Sequence, residues 1–372
     1  MKHKTLFVCA RRLGRARLRS AAGVAASALL GVLGAQFAAA AVFPDLYTLT
    51  VTRDLEAPAT QAEAEALAMR QLLTRITGDR GAGDDPQLQG LIENASGFVA
   101  SFAFLDQQRQ RAQVGFYPNV VDRELESLNR SVWGPERPLT LLWIAIDGGQ
   151  GERTLLSADG SAEAGLSPQM TELIASIRDE IRAAADERGL PIALPLLDLE
   201  DMGRITFADV WGGFDDTIQA ASVRYGADAI LIGRVRVTAF GNSVQWMLLR
   251  DDERRSFAGA GGLAEGLHWA ADTFARDYSV VGGVRTVRIL VRGVGTLADY
   301  GRVMSYLEGL STVQTVDVES FDGELLSLRA AARGDPGVLE RTLALGRVLQ
   351  LDEGAGPAVE NGSNTLVLRV AQ

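Results

Sequence analysis

Residues 188–235, RGLPIALPLLDLEDMGRITFADVWGGFDDTIQAASVRYGADAILIGRV, decide how the chain is read. Two continuous apolar runs, 192–197 and 227–235, flank a polar crossover. An apolar run without alternation is what a strand covered on both faces of a parallel sheet requires. Between the runs lie an acidic loop and a helix over about 215–225. The segment therefore reads as strand, acidic loop, helix and second buried strand.

Working outward, an apolar strand is expected at 139–146. The stretch 147–166 is rich in Gly, Ser and Asp and reads as a mobile loop. Ser167-Pro168 opens a long helix to Arg188, with proline at the first helical position, where its missing N–H leaves nothing unpaired. On the other side, strands at 244–250 and 254–258 fold about the charged turn Asp251-Asp252-Glu253, and a helix covers 263–278. The order over 134–279 is β-α-β-α-β-β-β-α. It predicts a central mixed α/β sheet, three strands parallel through right-handed crossovers and two forming an antiparallel edge.

Residues 41–133 read as an N-terminal α+β domain. A strand at 46–56 alternates apolar and polar, Thr60 caps a helix over 61–76, and Gly78 stops it. A short helix follows Asp84-Asp85-Pro86, then an antiparallel pair at 98–105 and 113–117, and a helix at 119–129. Residues 280–283, Val-Val-Gly-Gly, read as a linker. Beyond it, 284–372 follow the order β-α-β-β-α-β, a C-terminal ferredoxin-like domain whose hairpin turns through Phe321-Asp322-Gly323. The fold class expected is an α+β and α/β multidomain protein.

The first forty residues read as a secretory signal peptide. Seven basic residues and no acid precede an apolar stretch at 21–37, and Ala38-Ala39-Ala40 supplies small residues for cleavage. Its loss would leave 30 basic and 47 acidic residues, a net charge of −17. The only cysteine, Cys9, would go with it, so the cores would have to hold without disulfides. Such an acidic chain is a poor match for nucleic acid, which demands a basic surface. No later run reaches the length of a membrane helix. The expectation is an exported, periplasmic protein with no transmembrane segment after cleavage.

The stretches WGPERPLTLLWIAID (133–147), RGLPIALPLLDLED (188–201), VWGGF (210–214) and ASVRYGADAILIGRV (221–235) resemble the bacterial domain-of-unknown-function family 2066. That resemblance implies an exported protein and confers no activity. Residues 139–279 are also similar, in element order, to the N-terminal domain of the Tol-system propeller protein. They share that order with lipoproteins that build the curli channel or activate penicillin-binding proteins. Those domains act through protein contacts, and fold alone does not assign function.

Asp198, Glu200 and Asp201 cluster at the carboxyl end of a parallel strand, where open α/β sheets place their sites. They could hold a divalent cation such as Mg²⁺ or Ca²⁺, or form a solvated loop. No cofactor other than that cation is implied. Trp211 and Phe214 flank two glycines, with Asp215 and Asp216 next at the start of a helix. Exposed, these four residues would form a partner-binding surface; buried, the aromatics would lid the sheet. Gly293-Val294-Gly295-Thr296-Leu297-Ala298 outlines a dinucleotide fingerprint, but the next strand turns straight back, so the required parallel unit is missing. His268 is the one histidine left after residue 40. Arg137 and Arg188 are candidates for surface ion pairs at domain seams. No catalytic constellation emerges. The reading is a non-catalytic module binding an envelope protein or cell-wall component. The alternatives are a small-ligand binder, with a pocket between the first and central domains, or a metal-dependent hydrolase using 198–201.

Overall fold

The computed structural model describes residues 43, 45–52, 60–149, 151–160, 165–238, 241–250, 253–257, 262–352 and 365–371. The expected signal segment, the Asp251-Asp252 turn and the Gly- and Pro-containing loop before the last strand lie outside the described residues. The protein is mixed α/β, with three sheets and ten α-helices among those residues.

The first sheet has the order β1-β3-β2, with β1 (Thr48–Thr52), β2 (Val99–Phe104) and β3 (Arg111–Phe116) antiparallel. Helix α1 (Gln61–Thr77) lies across it, α2 (Gln89–Glu93) is one short turn, and α3 (Pro118–Ser127) follows β3. A reciprocal cap between Thr60 and Glu63 starts α1, satisfying backbone donors that the helix itself cannot. Leu72, Leu73 and Ile76 of α1 meet Leu49, Val51, Val114, Val121 and Leu125 in one core.

The second sheet runs β5-β4-β7-β8-β9. Its strands are β4 (Thr140–Gly149), β5 (Glu152–Leu155), β7 (Ala229–Thr238), β8 (Gly241–Arg250) and β9 (Glu253–Phe257), with the short β6 (Ile192–Ala193) beside β4. Strands β4 and β7 are parallel in the register Thr140↔Ala229, and β7, β8 and β9 form an antiparallel meander. Helices α4 (Pro168–Arg188) and α8 (Leu263–Tyr278) cover one face, burying Leu142, Ile144 and Leu231 against Ile177, Ile181 and Phe274. Two short helices, α6 (Phe207–Gly212) and α7 (Asp215–Ser222), cover the other, against Trp143, Ile232 and Met247, and the single turn α5 (Leu199–Met202) precedes them. Burial on both faces is why β4 and β7 are apolar without alternation.

Two expectations change here. The strand predicted over 192–197 shrinks to Ile192–Ala193. Pro191 and Pro195 bracket it and offer no N–H to a ladder, so pairing stops. The stretch 147–166, read as a mobile loop, contains β5, which pairs antiparallel with β4 from Ala145↔Leu155 to Gly149↔Glu152. Leu156, just beyond it, is buried.

The third sheet has the order β11-β12-β10-β14-β13. It comprises β10 (Val284–Arg292), β11 (Val313–Asp322), β12 (Leu325–Arg333), β13 (Leu349–Leu351) and β14 (Thr365–Val370). Helices α9 (Leu297–Glu308) and α10 (Pro336–Leu345) share its core, where Val303, Leu307, Leu339 and Leu343 meet Ile289, Leu328 and Leu366. This departs from the ferredoxin-like order at its end. In β-α-β-β-α-β the strand after the second helix runs antiparallel to the first. Here the short β13 takes that direction and β14 reverses from it, entering the sheet parallel to β10 in the register Arg288↔Thr365.

The units are bound together by buried arginines; of the two ion pairs expected at the seams, Arg188 makes one, with Asp272, from a buried position, and Arg137 instead bonds backbone carbonyls. Arg137 is fully buried, and its five N–H groups donate to the carbonyls of Gly134, Arg188, Gly189, Arg75 and Trp133 at 2.6–3.0 Å. Its guanidinium lies 3.9 Å from the Trp133 ring centroid. Burial pushes its pKa well below the ordinary arginine value, and Arg75 and Arg188 add repulsion. Arg188, equally buried, donates to Gly78 O at 2.8 Å and Asp272 at 2.7 Å, joining α1 to α8. The 280–283 stretch is pinned as well: Val132 and Val280 exchange both backbone hydrogen bonds.

Candidate functional site

The surface at 196–225 is built where β6 fails. After Pro195 the chain turns through Leu197, whose φ of 53° is one that side-chain-bearing residues rarely adopt. Its amide donates to the Asp201 carboxylate at 2.8 Å. Asp198 caps α5, accepting from the amides of Glu200 and Asp201. Asp201 is fully buried and accepts also from Tyr225 Oη at 2.5 Å and Arg224 at 3.0 Å. Arg224 forks onto both Asp198 oxygens at 2.7 and 2.9 Å and lies 3.6 Å from Glu200.

The structure therefore brings Asp198, Glu200 and Asp201 together, but around a guanidinium. Arg224 occupies the centre where a divalent cation would need to sit. Its charge, with two backbone amides, holds the Asp198 carboxyl well below the usual carboxylate range. Burial, helped by the bond to Asp201, pushes the Tyr225 phenol up to about 12. Among the described residues, no group of three or more His, Cys, Asp or Glu is placed to hold a metal ion. Such a bidentate, partly shielded pair fixes geometry more than an exposed pair does.

The aromatics divide between the two readings. Helix α6 begins with a reciprocal cap between Thr206 and Asp209 and ends at Gly213, whose φ of 69° turns the chain into α7. Trp211 is half-buried, stacked 5.3 Å from Phe207, with Arg236 5.2 Å over its ring. It helps lid the sheet. Phe214 is 57% exposed. Asp215 pairs with Arg254 at 2.9 Å and Asp216 is exposed, both in the first turn of α7 where the helix dipole favours anions.

Four residues not singled out in the sequence share this surface. Leu199 is 86% exposed and Val223 76%, with Met202 and Leu196 about half exposed. The Arg224 bonds tie the turn carrying Val223 to α5, and Tyr225 Oη, 2.8 Å from the Leu196 amide, ties in the chain before it. The available signal was leucine inside an acidic loop too short to bury it. The arrangement can offer a partner apolar side chains on a braced frame.

His268 lies on α8, buried, with its carbonyl accepting from Arg188 and its pKa lowered by burial. Thr296 caps α9 with Asp299, and β11 returns through a hairpin at the sheet edge, so the 293–298 glycines serve a helix start. No helix among the described residues is long and apolar enough to cross a membrane.

A family model described as a domain of unknown function (DUF8605) matches residues 40–134, about a quarter of the chain. The match spans the first sheet and its helices. The matching model is not that of family 2066 or of the Tol-system propeller domain. No curated protein matches the chain, and neither does any solved structure.

Proposed function

We propose that this is a non-catalytic binding protein of the cell envelope, which engages an envelope protein or cell-wall component through the 196–225 surface. One observation carries the reading: Leu196, Leu199, Met202, Phe214 and Val223 stand exposed on consecutive short elements. Large apolar side chains gathered on one surface, rimmed by charge, are typical of interaction sites. The Asp198–Arg224–Asp201 network holds their frame, so little conformational freedom is lost on binding. The charged N-terminal segment and acidic balance support an exported protein that does not bind nucleic acid. The likeness to family 2066 and to the Tol-system domain in element order points the same way. The hydrolase alternative gains no support from an acidic trio already engaged by Arg224.

The test is in-cell crosslinking of the tagged protein, followed by mass spectrometry. A reproducible envelope partner, lost in a Leu199→Ser/Val223→Ser variant of unchanged melting temperature, supports the reading. Recovery of the same partners by that variant, or a protein that carries none, overturns it.

A further inference from the structure

The three sheets end in open edges, and most of these are closed to a further strand. Strands β5, β6 and β13 are four residues long or shorter. Strand β9 carries Glu253, Arg254 and Arg255. Strand β11 carries Asp317, Glu319 and Asp322 and breaks register twice against β12. Brevity, charge and bulges are the means by which native sheets keep an edge from templating another chain. At β1 the Thr48 carbonyl, which points away from β3, already accepts from Arg75 at 3.3 Å.

Strand β2 is the exception. It reads VASFAF and pairs on one side only, with β3. Its one register break, between Val99 and Ser101, leaves 101–104 regular. Residues 94–105, NASGFVASFAFL, hold no charged group. The Leu105 amide donates to the Arg111 carbonyl at 2.9 Å. By the antiparallel alternation, residues 103 and 101 also bond to β3, and the amides and carbonyls of Phe102 and Phe104 point out of the sheet edge.

The apolar core is unfinished at the same place. Leu49 and Val51 of β1, and Ala112, Val114 and Phe116 of β3, are each 3% exposed or less. Phe102 and Phe104, opposite Val114 and Ala112, are only half-buried, and Leu105 is 46% exposed. An occupant must therefore bring both a strand and apolar side chains.

A second copy of β2 brings both. Antiparallel pairing about a two-fold axis through Phe102 lets that residue exchange both backbone bonds with its counterpart, and brings the half-buried rings together. The chain carries a net charge of −10, so two copies repel, and an uncharged segment is where they can meet without setting like charges opposite each other. A foreign strand could use the same backbone groups, but an edge without charge offers nothing to select it.

We propose that β2 pairs antiparallel with β2 of a second copy, joining the two first sheets into one continuous sheet. The contact does not involve the 196–225 surface, so either proposal can fail without the other.

Sedimentation velocity of the purified protein from about 1 to about 100 μM reads the association, since a contact of one strand pair belongs to the weak end of interfaces. A reversible monomer–dimer equilibrium is expected. Ser101 and Ala103 are exposed and come opposite each other across the axis. Ser101→Lys/Ala103→Lys therefore sets lysine against lysine twice and should weaken the dimer about tenfold. Ser101→Glu/Ala103→Glu should weaken it alike. An equimolar mixture of the two variants should dimerise at least as well as wild type, because each lysine then meets a glutamate. Melting temperatures matching wild type show that both variants fold. A monomer throughout the range, or variants that dimerise as well as wild type, overturns the proposal. So does a mixture that associates no better than its separate components.

Discussion

Replacing Arg137 with methionine tests whether its buried guanidinium holds the units together. The side chain keeps similar length and apolar bulk and loses all five donors. Five carbonyls, from Arg75, Trp133, Gly134, Arg188 and Gly189, then lose a bond. At a net ~1 kcal/mol each, that is ~5 kcal/mol. Loss of the 3.9 Å stacking on Trp133 adds ~1 kcal/mol. Against this, methionine escapes the desolvation cost of a guanidinium, several kcal/mol per ion. The carbonyls cannot move to water, because α1, the Trp133 corner and the end of α4 converge on them. The net expectation is a loss of ~3 kcal/mol, a large part of an ordinary ~5–15 kcal/mol stability. Urea unfolding followed by tryptophan fluorescence should show the midpoint falling by ~1 M for a slope of ~3 kcal/mol/M. Arg137→Lys, with three donors and no planar fork, should fall between. A midpoint for Arg137→Met equal to or above wild type would refute the reasoning, since desolvation would then outweigh the five bonds.

Asp201→Asn should destabilise by ~2–4 kcal/mol, because it removes the charge that Arg224, Tyr225 and the Leu197 amide share in a buried position; calorimetric melting measures it. The Asp198 carboxyl is depressed in the folded state, so its stabilising effect is present above the unfolded value of about 3.9 and is lost as pH falls through the folded one. A melting-temperature series from neutral pH downward should decline below about pH 4, and Asp198→Asn should flatten part of that decline. Gly78→Ala should cost ~2 kcal/mol or more: φ is 71°, and the added Cβ would meet the Ala275 Cβ at 2.2 Å across the α1–α8 seam. An unchanged urea midpoint there would mean that the two helices can part freely.

Some of this could be read one residue at a time. The unbroken apolar runs of β4 and β7 announced a strand covered on both faces. Thr60 and Ser167 marked helix starts, and both side chains accept from the first turn of their helices. At 198–201 the carboxylates were legible as a cluster. Their partner was not, because Arg224 lies beyond two intervening helices. Trp211 and Phe214 were legible as aromatics on a turn, but not that one would half-sink onto Phe207 while the other stayed in solvent.

What the sequence determined by itself is local: periodicity, capping and proline placement set which segments are helices or strands, since those signals act within a few residues. Only the tertiary structure decided the long-range pairings. Strand β5 exists because the edge of β4 is open to it. Strand β14 runs parallel to β10 because β13 precedes it at the edge. Arg137 is buried because five carbonyls from separate segments converge on one point. Each depends on which surfaces are left to be covered once the sheets have formed, and no window along the chain contains that information.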